Sequence, residues 1–151
     1  MTALIFTLIL AGQTGSSYPD TLEITGVFAG YSMGDYYHAV FISEDGMMET
    51  TFVPGVSTPG LDVFLFMHRW EEVTVLAENR QFDLYEAGCQ IVPVIVDASA
   101  GGESYTDWFD TVVREMGIKT AGEFHEAFGD PIETEPLVDE GALYSSLRGE
   151  N

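Results

Sequence analysis

The sequence predicts a mainly β fold with α (α+β): a five-stranded β-barrel with a helix between strands three and four, followed by two short C-terminal helices. Three observations lead there. Short runs of β-branched and aromatic residues recur between turn residues. One apolar stretch, Leu61–Trp70, interrupts them with helical rather than alternating spacing. Two capping patterns, each followed by an apolar stripe, close the pattern after residue 103.

The first strand, Thr21–Tyr31, alternates Leu22 and Ile24 with Glu23 and Thr25, the period of a sheet with one buried face. Gly26 and Gly30 within it mark a bulge or a sharp bend. The second strand, Tyr36–Ile42, is aromatic and β-branched, and Asp45-Gly46 turns it into the third, Met47–Val53. Two prolines and two glycines between residues 54 and 60 break the sheet. Leu61, Phe64, Leu65 and His68 then fall on one helical face, and the stretch is apolar enough to be mostly buried. Strands four and five are Glu72–Asn79 and Gln90–Asp97, joined by an arm or loop over residues 81–88.

After Asp97 the small residues 98–102 read as a linker. Ser104 with Asp107, and Thr120 with Glu123, have capping-box spacing and predict two helices between about 105 and 128. Gly129 and Pro131 end the second. The expected layout is therefore a barrel over residues 19–98, a two-helix extension over 99–131 and an acidic, mobile tail over 132–151.

The order β-β-β-α-β-β over roughly residues 20–98 resembles that of an OB-fold; an SH3-like barrel or a split α+β sheet shares much of the pattern. The resemblance rests on element order, without a motif of named residues. It implies a ligand face on strands two and three, flanked by the loops joining strands one to two and four to five. Those positions hold Tyr31, Asp35, Tyr36, Tyr37, His38 and Tyr85, whose tyrosines offer apolar area with a polar tip. The competing reading is that these aromatics are cross-strand pairs holding the sheet together.

Charge bounds the partners. There are 25 Asp+Glu against 5 Lys+Arg, and the five cations are scattered as Arg69, Arg80, Arg114, Lys119 and Arg148. A net charge of −20 repels phosphate, so nucleic acid is not an expected partner. The dispersed acids suit a hydrated surface first and attraction of a basic partner second.

Residues 1–18 are either a secretory signal or a buried N-terminal strand: they carry no charge, and an apolar run over 3–11 precedes small residues suited to cleavage. The expected location is periplasmic or secreted, with the cytoplasm as the alternative, and no membrane-spanning segment in the mature chain.

Chemistry-bearing motifs are sparse. His38, His68 and His125 lie on three different elements without metal-ligand spacing, so no metal or other cofactor is expected. Cys89 follows Gly88 near acidic Glu86 and reads as a buried or half-buried structural thiol. No catalytic residue is assigned. The sequence-level expectation is a non-catalytic, exported module binding a protein, peptide or small ligand. The alternatives are a subunit docking through its C-terminal helices, and a small hydrolase using His38 and carboxylates.

Overall fold

A computed structural model describes residues 21–34, 36–51, 58–84 and 88–149. The expected N-terminal signal or strand, Asp35 and Tyr85 lie outside the described residues. The fold is α+β and mainly β. One antiparallel sheet runs in the order β3-β2-β1-β4-β5-β6, with β1 Thr21–Met33, β2 Tyr37–Ser43, β3 Gly46–Thr51, β4 Glu72–Leu84, β5 Gly88–Ala100 and β6 Glu103–Ser104. Among the described residues four helices accompany it: α1 Leu61–Met67, α2 Tyr105–Met116, α3 Ala121–Phe128 and α4 Glu140–Leu147.

The sheet is open. Among the described residues no ladder joins β3 to β5, although the two come within 8 Å of each other at Cα. A sixth strand replaces the expected linker after Asp97. Ala100 pairs with Glu103 across Gly101-Gly102, whose φ values of 59° and 84° are those of a two-residue hairpin turn. That turn delivers Ser104 directly to the start of α2, where its side chain accepts from the Asp107 amide at 3.0 Å. Thr120 caps α3 in the same way through the Glu123 amide, at 3.2 Å.

A bulge decides which face of β1 is buried. Leu22, Ile24 and Phe28 point into the core at even positions. The register with β2 slips between Phe28 and Gly30, so Tyr31, an odd position, joins the same face. Val40 of β2 pairs with Gly30 and Glu49, so it stands on the opposite face, which is also covered.

One core holds sheet and helices together. Phe28, Tyr31, Phe41, Val73, Val75 and Ile95 from the strands meet Leu61, Phe64 and Leu65 of α1, and behind these lie Trp108, Val112 and Phe124 of α2 and α3. The two helices α2 and α3 are thus packed into the core.

The region expected to be a mobile tail carries a helix. Asp139 caps α4 by accepting from the Ala142 amide at 3.0 Å. Ahead of it the Val138 amide donates to the Tyr31 carbonyl at 2.7 Å, alongside the part of β1 that has no β4 partner.

Candidate functional site

Asp62 is the only charge in the apolar run Leu61–Met67 and is 1 % exposed. A carboxylate that deep needs partners to offset its lost hydration. Tyr31 and Tyr105 fix the chain around it, donating to the Asp62 and Pro59 carbonyls at 2.8 and 2.7 Å. Burial, with the Asp62 charge second, holds the Tyr31 hydroxyl well above its ordinary range, so it stays a donor. Asp62 Oδ1 accepts from the Val63 amide at 3.0 Å, and Oδ2 lies 2.6 Å from His125 Nε2 on α3.

The other ring nitrogen of His125, Nδ1, is 3.3 Å from Asp130 Oδ2. Asp130 is itself held by the chain that follows: its Oδ1 accepts from the Ile132 and Glu133 amides at 3.0 and 3.2 Å. One imidazole therefore stands between a buried carboxylate from α1 and a half-buried one just past α3. The three side chains bring ligand atoms within 4.8 Å of one another.

Beside this triad lies a cleft of ≈ 280 Å³ between α1 and the end of α3. Val63, Phe66 and Met67 form one wall, Phe128 and Pro131 the other, and Glu135 adds a carboxylate. Val63 and Pro131 are the immediate chain neighbours of Asp62 and Asp130, so cleft and triad share the same backbone.

Of the residues expected from sequence to bind ligand, the four that are described, Tyr31, Tyr36, Tyr37 and His38, do not share one face. Tyr31 is a core residue, 2 % exposed, because the bulge turns it inward. Tyr37 packs against the core from the same face, while His38 projects to the opposite side in register with Ser32 and Thr51. Tyr36 precedes β2 and is half-buried. Cys89, expected to be covered, is exposed on β5 opposite Asp83.

On the His38 side, α4 meets β3 through two carboxyls. The Glu49 carboxyl is pushed up to about 7, by its hydrogen bond with Glu140 first, then by burial and the Glu140 charge. Glu140 is held below its ordinary value, chiefly by that same hydrogen bond, with Ser32 and His38 also facing it. The pair shares one proton near neutrality. Its contribution from Glu49 is complete below the ordinary glutamate value and is lost as pH rises through about 7. The contribution from Glu140 is present above the ordinary value and is lost only in acid. Protection of the α4 amides against hydrogen exchange is therefore expected to fall between roughly pH 5.5 and pH 8.5, and Glu49→Gln should flatten that profile. A pH-independent protection in the native protein would overturn the shared-proton contact.

Sequence reasoning considered His125 only as one of three unrelated histidines and passed over Asp62 and Asp130. A usable signal was present: a lone carboxylate inside an otherwise apolar helix requires a donor from elsewhere in the chain. Among the described residues no helix is long and apolar enough to cross a membrane. No family model, curated protein or solved structure matches this chain.

Proposed function

We propose that this chain is a non-catalytic binding domain that takes a basic, amphipathic segment of a partner protein in the cleft between α1 and α3. The observation that carries the reading is the pairing of an apolar cleft with a strongly anionic chain. Met67 and Phe128 are large apolar residues left 53 % and 41 % exposed in opposite walls, and Glu135 lines the same cleft. Glu126 and Glu133, both exposed, lie close by in sequence, and the chain carries a net charge of −20. Apolar walls with a flexible thioether take an anchor side chain, and the anionic field steers and orients a cationic flank. The strand order β3-β2-β1-β4-β5 and the approach of β3 to β5 support reading the sheet as a partly open, OB-like barrel. On that reading the binding surface has moved from the barrel face to the helices packed beside it.

A labelled amphipathic peptide of alternating leucine and lysine clusters is the probe, with its glutamate counterpart as control. The lysine peptide is expected to bind with salt-sensitive affinity, and the glutamate peptide is expected not to bind. Met67→Glu separates docking from bulk attraction. It adds negative charge, so a purely electrostatic association would tighten, whereas cleft docking should weaken by about tenfold or more. Tighter or unchanged binding in that variant would overturn the proposed site.

A further inference from the structure

We propose that His125 and Asp130 form a binding site for a divalent transition-metal ion, with zinc the best match, and that Asp62 is the carboxylate that positions the imidazole. Asp62 is buried and its Oδ2 lies 2.6 Å from His125 Nε2, so the ring is anchored through that nitrogen and turns Nδ1 toward Asp130. A histidine anchored through one ring nitrogen offers the other as a ligand atom.

His125 Nδ1 faces the Asp130 carboxylate, 3.3 Å from its Oδ2. Two potential ligand atoms at that spacing form a seat for a cation between them. The spacing also distinguishes one cation from another. A proton bridging imidazolium and carboxylate draws the heavy atoms to about 2.7–2.9 Å. Two ligands each about 2.0–2.1 Å from a tetrahedral ion stand roughly 3.3–3.4 Å apart. The observed separation fits the second arrangement.

The surroundings are built as metal sites are. Asp62, His125 and the ion would form a carboxylate–histidine–metal sequence, in which the outer carboxylate fixes tautomer and ring orientation. The amides of Ile132 and Glu133 hold the non-ligating oxygen of Asp130, which fixes that ligand too. One nitrogen and one carboxylate oxygen suit zinc better than calcium or magnesium, which prefer all-oxygen shells. Water or a partner's side chain would complete the coordination.

The full chain, freed of metal with a chelator, is titrated with Zn²⁺ alone by calorimetry, with Mg²⁺ as the control for diffuse adsorption by surface carboxylates. One saturable zinc site per chain is expected, and Co²⁺ in its place should give visible d–d absorption of low-symmetry coordination. His125→Gln and Asp130→Asn are expected to abolish the saturable site. Asp62→Asn should keep the stoichiometry while weakening affinity by about 10–100-fold, the effect of losing an outer-shell partner. Asp130→Asn keeps a side-chain carbonyl for the Ile132 and Glu133 amides, so it tests ligation in a chain that retains the turn. Absence of a saturable site in the native protein, or undiminished zinc binding in both His125→Gln and Asp130→Asn, would overturn the proposal.

Discussion

Replacing Phe124 with alanine is expected to destabilise the whole protein by about 3–5 kcal/mol, in a single unfolding transition. Its ring is fully buried and packs against Trp108 at 5.5 Å, Phe109 at 5.6 Å and Phe128 at 6.0 Å between ring centroids. Deleting it opens a cavity where three elements meet: Gly60 ahead of α1, Trp108 on α2 and Phe128 on α3 itself. Trp108 in turn lies 5.5 Å from Phe64, which belongs to the core shared with the sheet. The loss should therefore reach the strands. Denaturant unfolding followed by tryptophan emission and by far-ultraviolet dichroism is the check. Coincident transitions shifted to lower denaturant are expected. A loss below about 1 kcal/mol, or a sheet that outlasts the helices, would make α2 and α3 an appendage rather than core.

Gly60→Ala is expected to cost about 2–5 kcal/mol, from two separable sources. Gly60 caps α1 with φ of 81°, a left-handed conformation that costs a residue with a Cβ roughly 1–2 kcal/mol. A Cβ built there would also lie 2.6 Å from Phe124 Cδ1 and 2.8 Å from Cε1. Pushing the ring aside adds an overpacking cost of about 1–3 kcal/mol. The two sources separate in a double-mutant cycle. With Phe124 already alanine the steric part vanishes, so the cost of Gly60→Ala should fall to about 1–2 kcal/mol, leaving a coupling of roughly 1–3 kcal/mol. Additive costs would show that the ring relaxes freely away from Gly60.

Strand order was legible because its signals are local. Alternation in Leu22–Thr25, a turn near Asp45-Gly46 and the apolar helix after Gly60 each act within a few residues; the turn itself is Glu44-Asp45, one residue earlier, with Gly46 pairing Ser43 as the start of β3. The two capping patterns were legible for the same reason, and both are made by the side chains expected. Strand ends were less so, since β1, β4 and β5 are prolonged by partners rather than by their own composition. Glycine content announced a bend in β1 but not the position of the register slip, and that slip decides whether Tyr31 faces solvent or core. The triad was illegible as a unit. Asp62 and His125 are 63 residues apart, and only the stacking of α3 on α1 brings them together. Residues 140–147 read as tail because α4 buries none of its own residues, so no apolar stripe marked it.

Past Val27, β1 leaves β4 behind, and other parts of the chain take up its backbone groups. Phe28 exchanges hydrogen bonds with Trp70 and Glu71, the Ala29 carbonyl accepts from Arg69, and the Tyr31 carbonyl accepts from Val138. Val138 also fills the space over Gly30. A row of open donors and acceptors on a flat, apolar strand is a template on which a strand from a second molecule can grow. Residues 69–71 and Val138 thus act together as a guard, keeping a central strand from recruiting its neighbours into a shared, intermolecular sheet.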